Sequence, residues 1–200
     1  MIIVIKIEWP NLYELLPEME CDSFALDKFE GCNSVRCYIP PGRYVRLVRK
    51  ISGKRATSVI MSNTPMEQRT CVSVVQRAHG DVLIGGFGLG MIVLAMQDKP
   101  NVSSITVIEN NKEIIDNIAA VLPLNDKVTV IHDDVYEWKP QRGKKYDTIW
   151  LDIWDNINSD IYKEEMIPLK NKYRRYLSKS PEHWIKCWAE MEARYDRPLF

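Results

Sequence analysis

Between residues 63 and 155, short continuous apolar runs alternate with segments whose apolar residues recur at helical spacing. Val82-Leu83-Ile84, Ser104-Ile105-Thr106-Val107-Ile108, Val128-Thr129-Val130-Ile131 and the stretch from Tyr146 to Asp155 do not alternate strictly between apolar and polar. Runs of this length predict strands buried on both faces, as in a parallel sheet. The intervening segments predict helices. Thr64-Pro65-Met66-Glu67 reads as a capping box with proline at the first helical position, so a helix is expected from there to about Ala78. Either Glu67 or Gln68 is a candidate to face a ligand pocket, although capping alone accounts for Glu67. A second helix is expected over Met91–Gln97. A third is expected over Lys112–Val121, with Ile114, Ile115, Ile118 and Val121 on one face and Pro123 ending it.

The flanks are less regular. Met1–Ile7 reads as a strand, and Leu12–Met19 as a short helix interrupted by Pro17, followed by a mixed stretch with no repeat. Pro40-Pro41-Gly42 is a turn, and Tyr44–Lys50 with Thr57–Met61 about Ser52-Gly53 predicts a β-hairpin. The boundaries expected are an N-terminal strand and hairpin region over 1–62 and an α/β domain over 63–200. From Ser159 to Tyr195 the chain is charged and helical in period. Ser180-Pro181-Glu182-His183 reads as a helix start, with Trp184, Trp188 and Met191 on one face, a packing stripe in preference to a cofactor box. No fifth strand is expected.

Length and composition change the picture only slightly. Two hundred residues are enough for one domain with a small appendage and a substantial core. Lys+Arg 27 and Asp+Glu 27 cancel, so no overall field favours nucleic acid or a membrane surface. Five cysteines without a CxxC pair and three scattered histidines suggest neither a disulfide framework nor a metal site, and a reducing cytoplasm is the expected compartment. The apolar N-terminus lacks a basic leader and is too short to span a membrane. Charge is local. No acid occurs between Gly31 and Met66, whereas Arg36, Arg43, Arg46, Arg49, Lys50, Lys54 and Arg55 do, which describes either a solvated hairpin face or an anion-binding surface.

Candidate chemistry gathers where the predicted strands end. The first runs into Gly86-Phe87-Gly88-Leu89-Gly90, whose glycines permit positive φ and close approach of a nucleotide to the loop and helix. The second ends in Glu109, about twenty residues on, where an acid can accept both hydrogens of a ribose diol; capping of the next helix is the alternative. The third runs into Asp133-Asp134, and the fourth carries Asp152 and Asp155, which helix capping would also explain. In open α/β sheets ligands bind beyond the carboxyl ends of the strands. The convergence of these groups there is the main functional signal.

With those residues in view, Asp81–Asp155 resembles the class I S-adenosylmethionine-dependent methyltransferase fold, and most closely its spermidine-synthase-like branch. Gly86, Gly88 and Gly90 are similar to the family's glycine loop, and Glu109 to its ribose-binding acid. His132-Asp133-Asp134-Val135-Tyr136-Glu137-Trp138 resembles the adenine-binding segment, which implies Asp134 at the exocyclic amine and the Val135 backbone beside the ring. Tyr146–Asp155 resembles Y-D-x-I-x-x-D-x-x-D. The resemblance implies S-adenosylmethionine, or its decarboxylated form, as cofactor and a small-molecule acceptor, with an amine the favoured kind. Asp152 would align the acceptor or take its proton, Asp155 would hold it, and Trp154 would stack on it. The fold implied is α/β, a Rossmann-like methyltransferase fold with a mainly parallel sheet truncated after the fourth strand.

Several positions depart from the pattern. Leu89 stands where aminopropyltransferases keep an aspartate, Ile84 where many methyltransferases keep an acid, and Ile153-Trp154 where the branch has Ser-Ser. The D/N-P-P-Y motif of amino-methylating nucleic-acid enzymes is absent. Only about 45 residues follow Asp155, so the acceptor side is expected to be reduced or completed by another subunit, as in a homodimer. The rival functions are aminopropyl transfer; a nicotinamide dehydrogenase, against which Met91 replaces the third glycine of GxGxxG; and an inactive nucleotide-binding or assembly module.

Overall fold

The computed structural model describes residues 7–31, 33–34 and 37–199. Most of the strand expected at Met1–Ile7, along with Cys32 and Arg36, lies outside the described residues. Helix α1 (Leu12–Leu15) stops two residues before Pro17, which disfavours helical geometry just ahead of it. Strands β1 (Met19–Glu20) and β2 (Phe24–Glu30) follow, then a small pair, β3 (Asn33–Ser34) with β4 (Cys37–Tyr38), and the hairpin β5 (Arg43–Ile51) and β6 (Lys54–Ser62). The order β1-β2-β5-β6 forms an antiparallel sheet. Ser52 and Gly53 both take positive φ, the two-residue turn that matches strand twist. Strand β2 is not in the sequence-based reading, because its buried Phe24-Ala25-Leu26 gives way to Asp27-Lys28 without a clean period.

Neither sequence-based explanation of the basic hairpin describes its surroundings fully. Arg46 pairs with Asp27, its direct cross-strand partner, and Arg55 with Glu20 and Asp27. Lys50 reaches Glu20, Arg43 reaches Glu14, and Arg49 reaches Asp155. Five of these basic residues, Arg43, Arg46, Arg49, Lys50 and Arg55, are thus paired with acids outside the hairpin.

The second sheet is built from α2 (Pro65–Arg77), β7 (Gly80–Gly85), α3 (Met91–Gln97), β8 (Val102–Glu109), α4 (Lys112–Ile114), β9 (Val128–His132), β10 (Thr148–Leu151), α5 (Ser159–Ile161), α6 (Ile167–Arg174), β11 (Trp184–Cys187) and α7 (Glu190–Arg194). Its strands run parallel in the order β11-β10-β7-β8-β9, which gives an α/β, Rossmann-like fold. Helix α4 continues as a π-helical stretch, Ile115–Ala119, and another, Tyr162–Met166, joins α5 to α6 just ahead of Pro168. Proline cannot donate to the helical ladder, and the widened turn before it accommodates the lost bond.

Both faces of this sheet are covered, as its unbroken apolar runs require. Val82, Ile84, Ile105, Val107 and Trp150 pack on one face with α2 and α3 residues and with Phe24, Leu26, Val45 and Leu47 of the antiparallel sheet. Leu83, Ile108, Ile149 and Leu151 pack on the other with Met166, Leu169 and Tyr173. Lys99 closes α2, its Nζ donating to the carbonyls of Val75 (2.6 Å) and Ala78 (2.8 Å). Among the described residues no helix is long and apolar enough to cross a membrane.

The C-terminal segment differs from expectation. Instead of a helix starting at Ser180, Trp184–Cys187 forms a fifth parallel strand beside β10, so the sheet does not stop after the fourth. The stretch Trp184–Trp188, apolar-rich and with a helical-looking Trp spacing, fits either state; the open edge of β10 decides. Trp184 N–H donates to Asp147 O and Trp188 N–H to Leu151 O, both at 2.8 Å. The tryptophans do pack. Trp184 stacks on Trp150 with centroids 5.9 Å apart, and the Trp188 indole donates to Thr70 Oγ1 at 2.9 Å. Strand β10 is also shorter than its apolar run, so Asp152–Asp155 leave the sheet.

Trp188→Ala is therefore expected to cost about 3–5 kcal/mol in urea denaturation, the range for truncating a buried tryptophan. Thr70→Val removes both the acceptor of the Trp188 indole and the hydrogen bond that the hydroxyl donates to Glu67 O at 2.7 Å, and should cost about 1–3 kcal/mol. A Trp188 on a loose terminal helix would give a near-zero loss for Trp188→Ala.

Candidate functional site

From β7 the chain passes to β8 and β9 on one side, and later to β10 and β11 on the other. The crevice where the order reverses lies beyond Gly85 and Leu151, the last residues of β7 and β10. A cavity of about 510 Å³ opens there, within the usual size of ligand pockets. Its walls bring together Gly86, Gly88, Glu109, Asp134, Val135, Asp152, Trp154 and Asp155. Of the residues singled out from sequence, Gly90 stays out of the wall; it takes φ +70 and starts α3.

Two glycines serve close packing. At Gly86 (φ +91) a Cβ would lie 2.1 Å from Asp152 O, so the residue after β7 and the residue after β10 touch only because the side chain is missing. At Gly88 (φ +53) a Cβ would lie 2.5 Å from Met61 Sδ, which also accepts the Leu89 N–H at 3.4 Å. Strand β6 thus rests on the glycine loop.

Glu109 is buried, and both its carboxylate oxygens accept backbone N–H groups at 2.8 Å: Oε2 from Phe87, Oε1 from Asn111. It joins the loop after β7 to the loop after β8 and leaves lone pairs on the pocket side. The capping role falls to Asn111, whose side chain accepts Glu113 N–H at 3.0 Å. Asp134 Oδ1 accepts Tyr136 N–H at 2.8 Å, and the Val135 carbonyl is held by Tyr173 Oη at 2.7 Å. Trp154 donates its indole N–H to Glu165 Oε2 at 2.7 Å, and Tyr136 Oη donates to the same oxygen at 3.2 Å.

The antiparallel sheet roofs the crevice through two contacts. Arg49 of β5 donates to Asp155 Oδ2 from Nη2 at 2.6 Å and from Nε at 3.2 Å. Glu113 accepts Asp22 N–H at 2.9 Å and Ser23 N–H at 2.8 Å. Sequence reasoning missed Arg49, Met61 and Glu165 as wall residues. Nothing in a strand of mixed charges or an acidic helix marks them.

Glu67 is the instructive residue. The helix begins at Pro65 as the capping box predicts, but Thr64 makes no side-chain cap bond; Ser62 Oγ pairs with Thr64 Oγ1 at 2.9 Å, and Gln68 Nε2 donates to Asn63 O at 3.1 Å. Released from capping, Glu67 turns into the pocket wall. Burial and the negative charge of Asp152 push its carboxyl up to about 8. Burial likewise pushes Asp152 up to about 7, opposed by the hydrogen bond from Trp150 Nε1 at 3.2 Å. An ionised Asp152 thus makes it harder for Glu67 to ionise near neutral pH.

Six carboxylates and two cationic side chains line the cavity, which favours a cationic or proton-donating ligand. Among the described residues no group of three or more His, Cys, Asp or Glu side chains is arranged to hold a metal ion.

Comparison with known proteins gives likeness and no identity. No family model and no curated protein matches the chain. Among solved structures, it is similar to the plantazolicin methyltransferase BpumL in complex with a triazolic desmethylPZN analog and SAH, at 21% identity and TM-score 0.40, over 56% of this chain and 42% of that one. It is similar to the CcbJ methyltransferase from Streptomyces caelestis at 17% and 0.47, over 62% and 49%. For the N-methyltransferase NodS from Bradyrhizobium japonicum WM9 the values are 13% and 0.46, over 58% and 65%. The chain thus spans less than two thirds of each of these structures.

A raised acid is protonated in the folded state at pH values where it ionises in the unfolded chain, so the stability it leaves intact below about pH 4.5 is lost as pH rises through about 8. Glu67→Gln should therefore melt near the wild-type temperature at pH 4.5 and progressively above it toward pH 8.5. A gain independent of pH would remove the uncompensated-acid account.

Proposed function

We propose that the chain is an S-adenosylmethionine-dependent methyltransferase acting on a small acceptor, with an amine the best-fitting kind. The observation that carries this reading is the crevice itself: one cavity at the reversal of strand order gathers the glycine loop, Glu109, Asp134 and Asp152. The donor set fits such a cofactor. Glu109 has pocket-side lone pairs for a ribose diol, Asp134 keeps its Oδ2 for an exocyclic amine, and Val135 offers an apolar wall beside it. When bound, the sulfonium supplies an activated methyl group with its leaving group already attached.

The chain's own residues then have to position a nucleophile and manage its proton. Holding an acceptor in line can supply about 7–11 kcal/mol of the barrier. Asp152, with a carboxyl near neutrality, is suited to accept a proton from an attacking amine. Trp154, fixed by Glu165, offers a flat apolar surface to the acceptor. Asp155 is tied to Arg49, so its charge is largely spent on the roof of the pocket.

Aminopropyl transfer is the weaker reading, since the Asp155 carboxylate is paired and Leu89 is fully buried in the core. An inactive module rested on a sheet ending at β10, and β11 reduces that ground.

Calorimetric titration tests the cofactor. S-adenosylmethionine and S-adenosylhomocysteine are expected to bind, with NAD and the decarboxylated form much weaker. Glu109→Gln should lose tenfold or more in affinity, as expected for a charged hydrogen bond of about 1.5–3 kcal/mol. Failure of both S-adenosyl compounds to bind a chain that melts cooperatively would overturn the proposal.

A further inference from the structure

The carboxylates of the pocket are not equally available. Glu109 accepts two backbone N–H groups, Asp134 accepts one, and Glu165 accepts the Trp154 indole and the Tyr136 hydroxyl. Asp155 is held by the Arg49 fork, and Asp152 accepts the Trp150 indole on one oxygen only. The two cations of the wall are also engaged, since Lys50 donates to Cys21 O at 2.6 Å and pairs with Glu20. Among the described residues, no hydrogen bond or ion pair reaches the Glu67 carboxylate; what acts on it is burial and the Asp152 charge. Glu67 and Cys71 lie one helical turn apart on the face of α2 that feels Asp152, and Cys71 is fully buried, so that face is fixed.

We infer that Glu67, with the second oxygen of Asp152, is the binding point for a protonated amine of the acceptor, in place of the Asp155 that the sequence pattern nominates. The inference rests on the methyltransferase reading for its acceptor, but the binding point is a property of this chain alone. Two carboxyls facing one cavity repel, and a single ammonium relieves the repulsion while hydrogen-bonding to both. Asp155 has no such need, because a guanidinium already sits on it. Specificity follows from the mismatch: a neutral group of the same shape leaves Glu67 without a charged partner in a half-buried wall.

The test is a ligand-observed NMR titration of the full chain with n-butylammonium and with n-butanol as its neutral counterpart, with and without S-adenosylhomocysteine. The wild-type chain is expected to prefer butylammonium by about tenfold or more, the scale of one charged hydrogen bond. Glu67→Gln should bring the two probes within about twofold of each other, while Asp155→Asn should keep the wild-type preference. Glu67→Asp, which keeps the charge, should retain the preference at lower affinity and serves if the glutamine variant fails to fold. Equal binding of the two probes by the wild type, an unchanged preference in Glu67→Gln, or loss of preference in Asp155→Asn in its place would each overturn the assignment. Failure of S-adenosylhomocysteine to bind, with the ammonium preference intact, would instead overturn the cofactor reading and leave the cation site standing.

Discussion

The crevice depends on one buried carboxylate. Glu109 ends β8, and its two oxygens hold the N–H of Phe87 in the glycine loop and the N–H of Asn111 at the start of α4. Buried backbone donors without partners are costly, and a buried carboxylate is costlier still. Each satisfies the other here, which fixes two adjacent strand ends relative to one another. The Gly86 contact with Asp152 O then brings the end of β10 against the same loop. Three strand termini are held at close range, and the cavity is the space that remains between them and the antiparallel sheet.

That sheet has a double role. Phe24, Leu26, Val45 and Leu47 extend the core on one face of the parallel sheet, so hydrophobic burial seats it. Its polar edge does something different, reaching over the crevice through Arg49 to Asp155 and through the Ser23 turn to Glu113. Exposed pairs of this kind contribute little to stability, and Arg49 is about half exposed. Their effect is positional. The Arg49 fork neutralises Asp155, so that acid is engaged while the Glu67 carboxyl, among the described residues, has neither a cation nor a hydrogen-bond donor.

Glu67 beside Asp152 is a local violation of the rules that hold elsewhere in the molecule. The other acids of the wall each accept at least one hydrogen bond, whereas burial raises both Glu67 and Asp152 toward neutral pKa and the Asp152 charge raises Glu67 further. Perturbed acids in a cleft mark a functional site more often than a structural one. A group near neutrality can bind a cation in one state and take a proton in the other, which is the requirement of an amine-alkylating site.

By itself the sequence determined the parallel sheet, because runs such as Val82–Ile84 and Val128–Ile131 can be buried only between two layers of helix. It also located the glycine loop and the acids after the strands, since these are consecutive in the chain and owe nothing to distant residues. Tertiary structure decided whatever depended on a partner far along the chain. Trp184–Cys187 became a strand because β10 offered an open edge, and Arg43, Arg46, Arg49, Lys50 and Arg55 of the basic hairpin were paired with acids on α1, β1, β2 and the loop after β10. Glu67 matches a capping box in sequence, yet Thr64 is occupied by Ser62, and the side chain faces the pocket instead. Local patterns name the residues that can act; long-range pairing determines which of their charges are left free to do so.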